Sequence, residues 1–270
     1  MIEVIRQQGL VRLTLRRAEK KNALTLAMWR ELHQCFLQLT AEHQAGGEAA
    51  PLALLLAGEA GAFCAGADIK ELTVLLRDPA AMAANNALVA AAQLALERLP
   101  LPTLAMIDGP CFGGGFGLAA ACDFRIGSTR SSFAITPAKL GLLYSIEDSR
   151  RLVGLLGAAK TRRLLMRGEQ LDAATAASWG VLDALVEPDQ LEATASAWLA
   201  DLLQQSPTSM TGIKATLGLL SGNGAASETQ VRAAFEQAFS GADFFEGAEA
   251  FLQRRKANFQ PRSSVQKPQI

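Results

Sequence analysis

The sequence lacks the charge imbalance and the metal-binding or redox patterns that would indicate several classes of partner. Its 26 lysines and arginines balance 26 aspartates and glutamates, so no broad attraction to nucleic acid or to an anionic membrane is indicated. The four cysteines and two histidines lack the spacing of a metal site or a redox motif. We therefore expect no bound metal, no nucleic-acid partner, and reduced, mostly buried thiols in a cytoplasmic protein.

Long apolar runs are also missing from the sequence. Residues 1–17 mix charged with apolar side chains, unlike a signal peptide, and the apolar run at 112–122 is short and interrupted by glycines. We therefore expect no membrane partner. Half of the 270 residues are apolar, which is enough for the core of one globular domain, or of a domain with an appendage.

The hydrophobic pattern predicts an α/β fold. Apolar and polar residues alternate on both sides of Gly9, which predicts a β-hairpin. The apolar residues after Thr25 have helical spacing, which predicts a helix with Thr25 as its N-cap. Short apolar runs at 52–57, 104–107 and 124–126 predict buried strands. Glycine-rich turns and helices at about 79–98 and 114–122 separate them, and the chain is mostly helical from 191 to 259.

Two glycine-rich turns each follow a predicted buried strand. The first is 63–71 (Phe-Cys-Ala-Gly-Ala-Asp-Ile-Lys-Glu), and the second lies within 108–123, where three consecutive glycines open a helix. Small side chains leave backbone N–H groups open to a ligand, and a helix N-terminus favours negative charge. The spacings of nucleotide-phosphate loops and of a nucleophile elbow are absent. A requirement for tight turns and close helix packing is the alternative.

These two turns resemble the oxyanion segments of the crotonase, or enoyl-CoA hydratase/isomerase, superfamily. Residues 17–24, with Asn22-Ala-Leu, resemble its N-terminal CoA-binding turn, and 251–259 resemble its C-terminal signature. The resemblance extends from residue 1 to about 260. It implies a spiral of ββα units over 1–195 and a C-terminal helical trimerisation region over 196–260, while the polar segment 261–270, with two prolines, predicts a flexible tail. It also implies a homotrimer, or a hexamer built as a dimer of trimers.

The resemblance implies an acyl-CoA thioester substrate, whose coenzyme A enters with it, so that no separate cofactor is expected. The backbone N–H groups of Ala67 and Gly114 would hold the thioester oxygen as an enolate. The CoA-binding residues that it implies are Arg17, Ala23, Ala65, Asp68, Ile69 and Lys70. Three more would reach the CoA of a neighbouring subunit: Phe251, Arg254 and Lys256. For each basic residue a solvated surface position is the alternative.

The chain departs from the enoyl-CoA hydratases that it resembles. They carry two catalytic glutamates, at positions that are Gly117 and Pro137 here. Neither residue can transfer a proton, so ordinary hydration by paired carboxylates is not expected. Gly117 either makes room for the acyl group or allows close packing of helices. The alanine-rich segment 78–98, low in polar side chains, hints at a small or apolar acyl group.

Thr136-Pro137 and Tyr144 resemble residues at matching positions of methylmalonyl-CoA decarboxylase. Decarboxylation needs no strong base, because losing carbon dioxide itself yields the thioester enolate. Tyr144, the only tyrosine, either orients the substrate carboxylate, protonates the enolate, or packs in the core with one hydrogen bond. The match is incomplete, because the decarboxylase keeps an acidic residue where Gly117 stands.

Glu147 is the alternative proton carrier, for double-bond isomerisation or an unusual hydration. Otherwise it lies in the first turn of a helix after Ser145, where it suits the helix dipole and pairs with Arg151 four residues on. The sequence therefore favours decarboxylation or isomerisation of an acyl-CoA over ordinary hydration. A non-catalytic acyl-CoA-binding relative is the alternative.

Overall fold

The computed structural model describes residues 1–47 and 49–259, so the predicted tail at 261–270 lies outside the described residues. The strands of the described chain are β1 Ile2–Gln7, β2 Leu10–Leu15, β3 Ala53–Gly58, β4 Thr103–Ile107, β5 Pro110–Phe112, β6 Phe124–Ser128, β7 Ser132–Ala134, β8 Gln170–Asp172 and β9 Ala184–Val186. The α-helices are α1 Leu26–Ala45, α2 Ile69–Leu75, α3 Pro79–Glu97, α4 Gly114–Ala121, α5 Ile146–Arg167, α6 Ala173–Trp179, α7 Leu191–Leu202, α8 Pro207–Ser221, α9 Glu228–Ala238 and α10 Ala242–Leu252.

Most strands belong to one parallel-rich sheet. Its order is β1-β2-β3-β4-β6-β9, and β5, β7 and β8 form a smaller sheet. β1 and β2 pair antiparallel around Gln8 and Gly9, which both have positive φ, so the predicted hairpin is confirmed. Within the larger sheet, all neighbouring strands from β2 to β9 pair in parallel. Parallel neighbours need crossover connections, which the helices supply. The predicted α/β class is therefore confirmed.

Alternating strand residues divide the core between the two faces of the sheet. On one face, Leu54 and Leu56 of β3 pack in a cluster with Phe36 of α1. On the other face, Leu55 packs in a second cluster with Leu199 of α7. This alternation follows from the two-residue period of a strand. Both faces are buried, which accounts for the continuous apolar runs of the sequence.

Helix α7 crosses the predicted boundary at residue 195. Leu191, Ala195 and Leu199 form its buried face against the sheet. The whole helix therefore packs with the sheet, and the change from sheet to helices comes after Leu202 because an apolar helix face cannot be divided between two cores.

The C-terminal helices leave an aromatic surface exposed. The rings of Phe235, Phe239, Phe244 and Phe245 form a chain with successive centroid distances of 5.3, 6.1 and 6.2 Å. All four are more than half exposed, and Phe251 is 83% exposed. These aromatics therefore do not pack into the protomer's own core.

Helix α3 is the one helix among the described residues with the length and hydropathy of a membrane span. Its mean hydropathy over 18 residues is 1.2, and a core helix can pass the same test of length and composition. It packs against α1 and α4, and Asn85, Ala92, Gln93 and Leu96 are buried on it. Two of these four residues are polar, and one of them reaches the candidate site described below.

Candidate active site

The two glycine-rich turns lie side by side in the structure. The Cys64 N–H donates to the Pro110 carbonyl and the Phe112 N–H donates to the Cys64 carbonyl, each at 2.9 Å. A Cβ on Gly66 would lie 3.0 Å from the Phe112 carbonyl oxygen, and Gly66 also has a φ of 98°. Only glycine therefore fits this point without strain, because the backbones approach so closely. The contact brings the first turn against the start of α4.

Ala67 and Gly114 carry backbone N–H groups that no other group of the described chain accepts. Their neighbours are used: the Gly66 carbonyl accepts from the Leu24 N–H at 2.7 Å, and the Gly113 N–H donates to the Ala134 carbonyl at 2.8 Å. Gly114 is the first residue of α4, where N–H groups have no partner within the helix. Two unpaired donors on adjoining turns can hold an oxygen that gains negative charge.

Arg17 and Asp68 join the predicted CoA-binding turn to the first oxyanion turn. An Arg17 guanidinium nitrogen lies 2.7 Å from an Asp68 carboxylate oxygen and donates to the Ala23 carbonyl at 3.0 Å. Asp68 also caps α2, as expected of a residue that shapes the turn. The hydrogen bond from Arg17, followed by those from backbone N–H groups, holds the pKa of the Asp68 carboxyl below its usual range although partial burial opposes this.

Asn22 fastens the same turn to the loop that follows β3. Its buried amide nitrogen donates to the Ala62 carbonyl at 2.7 Å, and the Ala65 N–H donates to the Lys21 carbonyl at 2.9 Å. Arg17, Ala23, Ala65 and Asp68 thus lie together beside the oxyanion turn. Two further predicted CoA-binding residues are exposed at the start of α2: Ile69 and Lys70.

The C-terminal residues predicted to contact CoA lie elsewhere. Phe251 is on the last turn of α10, and Arg254 and Lys256 follow it, all three exposed. Lys256 lies 3.5 Å from the Gln204 side-chain oxygen. No hydrogen bond or ion pair within the described chain links these three residues to the Arg17 turn. Their contact with the CoA of a neighbouring subunit stays a prediction.

The structure decides between the two interpretations of Gly117. A Cβ at this position would lie 2.1 Å from the side-chain amide of Gln93 and 3.3 Å from a carboxylate oxygen of Asp148. The Gln93 side chain therefore occupies the space, which favours a packing role for Gly117 over room for an acyl group. Pro137, where the resemblance predicts the second glutamate of a hydratase, begins a short 3₁₀ turn.

Tyr144 and Thr136 carry hydroxyl groups without hydrogen bonds to the described part of the chain. Tyr144 is half-buried against the core just before α5. Burial, followed by the charge of Asp148, raises the pKa of its phenol well above the usual value, so the hydroxyl stays protonated and can donate. Thr136 follows β7, whose last residue, Ala134, accepts from Gly113 in the second oxyanion turn.

Asp148 is a buried carboxylate that the sequence reasoning did not assign to the site. It is 7% exposed, and its oxygens accept from the Ser145 hydroxyl at 2.9 Å and from Arg151 at 2.5 Å. With the Gln93 amide oriented so that a donor faces the carboxylate, its nitrogen lies 2.8 and 3.1 Å from the two oxygens. Burial raises the pKa of the Asp148 carboxyl, and Arg151 opposes that rise.

The predicted ion pair between Glu147 and Arg151 is wrong. Arg151 is 8% exposed and lies between Asp148, three residues before it, and Glu97 of α3 at 2.8 Å. A buried guanidinium needs buried carboxylates, whereas Glu147 lies half-exposed in the first turn of α5. The sequence signal that could have identified the Asp148 pair is the position of Ser145. Ser145 lies three residues before Asp148, which is the spacing of a helix cap, and Asp148 lies three residues before Arg151, which is the spacing of an i,i+3 pair.

Known proteins share this fold and these sequence features. The sequence model described as enoyl-CoA hydratase/isomerase matches residues 5–262. A mevalonyl-coenzyme A hydratase of Aspergillus fumigatus is 30% identical over 257 residues, covering 92% of this chain and 90% of that protein. An enoyl-CoA isomerase/hydratase of Mycosarcoma maydis is 29% identical over 255 residues, covering 93% of this chain and 92% of that protein.

A solved structure shows the same likeness. The crystal structure of an enoyl-CoA hydratase from Bacillus anthracis has a TM-score of 0.85 and 26% identity to this chain, covering 96% of this chain and 98% of that one. The parallel-rich sheet and its helices thus match crotonase-fold neighbours. The chain belongs to the enoyl-CoA hydratase/isomerase family of the crotonase superfamily, whose members named here act on acyl-CoA thioesters.

Proposed function

We propose that this protein stabilises the enolate of an acyl-CoA thioester between the N–H groups of Ala67 and Gly114. The observation that carries this proposal is the pair of unpaired donors on two adjoining turns. The donors sit on backbone that is held by other hydrogen bonds, so little reorganisation is needed when charge develops on the oxygen. Removing one donor of this kind typically costs about 3–4 kcal/mol of transition-state stabilisation.

Coenzyme A would lie along the Arg17 turn. Arg17 and Lys70 offer positive charge, while the small Ala23 and Ala65 leave the backbone accessible, beside Asp68 and Ile69. Phe251, Arg254 and Lys256 would contact the CoA of a neighbouring subunit. A homotrimer, or a hexamer of two trimers, is supported by the exposed aromatic chain on α9 and α10.

The reaction that we propose is decarboxylation or isomerisation rather than ordinary hydration. In decarboxylation of a malonyl-type CoA, the bond between the α-carbon and the carboxylate breaks. Its electron pair moves into the thioester as an enolate, carbon dioxide leaves, and the α-carbon then takes a proton from water. The raised pKa keeps the Tyr144 hydroxyl protonated. Tyr144 is therefore better suited to orient the carboxylate as a hydrogen-bond donor than to act as an acid that gives up its proton. The unpaired Thr136 hydroxyl is a second donor for the same carboxylate.

Two alternatives remain distinct from decarboxylation. Isomerisation would use Glu147 to move a proton between the α- and γ-carbons. A non-catalytic acyl-CoA-binding protein would keep the oxyanion turns without a proton carrier, in keeping with Gly117 and Pro137.

The test is incubation with methylmalonyl-CoA and crotonyl-CoA side by side, with products followed by mass. Loss of carbon dioxide without hydration of crotonyl-CoA is the expected result, and Tyr144→Phe should then reduce the rate while Glu147→Gln does not. Isomerisation predicts the opposite effects of the two variants. Hydration of crotonyl-CoA at an ordinary rate would contradict the proposed preference for decarboxylation or isomerisation.

A second assay separates an enzyme from a binder. An enolate-forming site exchanges α-protons of a saturated acyl-CoA with deuterated water. Binding without exchange and without turnover would identify a non-catalytic relative.

A further inference from the structure

Helix α5 supplies a carboxylate beside the point where α4 lacks one. Gly117 is three residues after the oxyanion donor Gly114, on the same side of α4. A Cβ at Gly117 would lie 3.3 Å from a carboxylate oxygen of Asp148, with the Gln93 amide between the helices. A carboxylate therefore lies behind the oxyanion helix, although it comes from another element.

The hydrogen bonds of Asp148 exclude a role as a free base in this arrangement. Its two oxygens accept from Ser145, from Arg151 and from the amide nitrogen of Gln93. A carboxylate with donors on both oxygens is held as the ionised acceptor that those donors need. Asp148 is thus arranged to hold its neighbours in place.

The neighbours of Asp148 form the support of Tyr144. Ser145 directly follows Tyr144 and is bound to Asp148 twice, since its hydroxyl donates to the carboxylate at 2.9 Å and accepts from the Asp148 N–H at 3.0 Å. Arg151 connects Asp148 to Glu97, and Asn223 donates to both oxygens of Glu97 at 3.1 Å. The segment that carries Tyr144 is therefore fixed from α3, α5 and the loop before α9.

We propose that Asp148 is a positioning residue of the site, which fixes the Tyr144 segment and keeps the Tyr144 hydroxyl as a hydrogen-bond donor toward the acyl group. The inference rests on the proposed function only in naming the acyl group as the acceptor. It distinguishes Asp148 from the neighbouring Glu147, which lies half-exposed in the first turn of α5. The charge of Asp148 disfavours a second negative charge on Tyr144, because like charges at short range repel.

The charged and titratable groups around Tyr144 come from two elements. Asp148 and Arg151 of α5 act on its hydroxyl with opposite signs, and Cys111 of β5 faces it as a neutral thiol, since burial raises the Cys111 pKa well above its usual value. Glu97 of α3 reaches this group through Arg151. Burial is the largest cause of the raised Tyr144 pKa and remains when Asp148 is neutralised, but the repulsion by Asp148 is lost and the attraction of Arg151 is kept, so the Tyr144 pKa should fall.

The test uses the fact that Tyr144 is the only tyrosine of the chain. Ultraviolet difference absorbance of phenolate therefore reports this residue alone and needs no substrate. At about pH 10 an unperturbed tyrosine is half ionised. Titrated upward from that pH, Asp148→Asn is expected to form phenolate at lower pH than wild-type protein, although burial still holds its Tyr144 pKa above the usual value, and Glu147→Gln, the matched control, to behave as wild type.

The Asp148→Asn variant is expected to fold. Asparagine keeps the size of the side chain and an oxygen for Ser145 or Arg151, and Glu97 remains as a carboxylate partner of Arg151. Far-UV circular dichroism at the same pH checks this. If the variant does not fold, Gln93→Met provides the second test, because it removes the amide contact and keeps both charges; its kcat should fall while its phenolate signal stays low.

Turnover provides the second readout of Asp148→Asn. On whichever acyl-CoA the wild type converts, we expect kcat to fall about tenfold to a hundredfold with KM changed less than threefold, the scale of one charge-assisted hydrogen bond. Equal phenolate signals in wild type and a folded Asp148→Asn, or an equal shift in Glu147→Gln, would overturn the proposal. A wild type that turns over no acyl-CoA would count against the proposed function alone, because the phenolate readout stands without it.

Discussion

The side chain of Gln93 occupies the space that any side chain at Gly117 would need. A Cβ at Gly117 would lie 2.1 Å from the Gln93 amide, well inside contact distance, and Gln93 is 2% exposed. The Gln93 side chain of α3 therefore fills the volume beside residue 117 of α4. The two residues form one packing unit, which makes their substitution effects interdependent.

Gly117→Ala is expected to destabilise the protein. Overpacking costs about 1–3 kcal/mol, whereas replacing a helical glycine by alanine gains about 1 kcal/mol in helix propensity. Over most of that range the cost exceeds the gain. Gln93→Ala should relieve the clash, so that the double variant is more stable than the sum of the two single effects. Urea denaturation of the four proteins measures this coupling. Additive effects would show that Gln93 moves away at no cost.

Arg151→Met should destabilise the protein by about 3–5 kcal/mol, because it leaves the buried Asp148 and the half-buried Glu97 without their cation. Arg151→Lys, which keeps the charge, is the matched control and should lose less. A loss below 1 kcal/mol in urea denaturation would mean that water reaches these carboxylates.

The stability loss caused by Arg151→Met should depend on pH. Burial raises the pKa of Asp148, so the folded protein binds this proton more tightly than the unfolded chain, and stability falls as pH rises above the ordinary aspartate value. Arg151 opposes that rise, so its removal should raise the pKa of Asp148 further. The pH range over which stability falls then extends to higher pH. The stability deficit of Arg151→Met should therefore be larger at pH 8 than at pH 5. A constant deficit would contradict the assignment to Asp148.

Asp68→Ala should cost about 1 kcal/mol of stability, because the α2 cap is lost, and should weaken acyl-CoA binding by releasing Arg17. Asp68→Asn keeps a capping side chain and separates the two effects. The lowered pKa of Asp68 means that its contribution is present above the ordinary aspartate pKa and is lost as pH falls through the folded value. Calorimetric titration with an acyl-CoA, beside urea denaturation, provides both measurements.

Phe239→Asp should shift the protein from an oligomer to a monomer. The Phe239 ring is 59% exposed in the protomer and links Phe235 to Phe244, so a charge there spoils an association surface without entering the core. Light scattering coupled to size-exclusion chromatography measures the mass. Phe251→Asp tests whether the effect extends to the end of α10. A wild type that is already monomeric would contradict the proposed assembly.

Local patterns predicted much of the fold correctly. The hairpin around Gly9, the cap at Thr25 and the buried strands follow from residue spacing and from backbone preferences that act over a few positions. The glycine-rich turns were identified for the same reason, since a positive φ and a missing side chain are visible in the residue type. In the structure the backbones of the two glycine-rich turns are in contact, which requires the missing side chains.

The support of the candidate site could not be predicted in this way. Glu147 and Asp148 are adjacent, similar in chemistry and both in the first turn of α5, so spacing alone does not say which one faces inward. That choice depends on Arg151 and Glu97, and on Gln93, which lies 55 positions before Asp148 in the chain.

The sequence by itself determined the α/β class and the two glycine turns, because each is a property of residue type or short spacing, whereas the absence of hydratase carboxylates at Gly117 and Pro137 stays a prediction from the resemblance. Only the tertiary structure decided that Gln93 fills the space at Gly117 and that Asp148 is the buried acid. The physical reason is that burial and charge pairing arise between helices α3, α4 and α5, whose contacts depend on the packing of the whole chain.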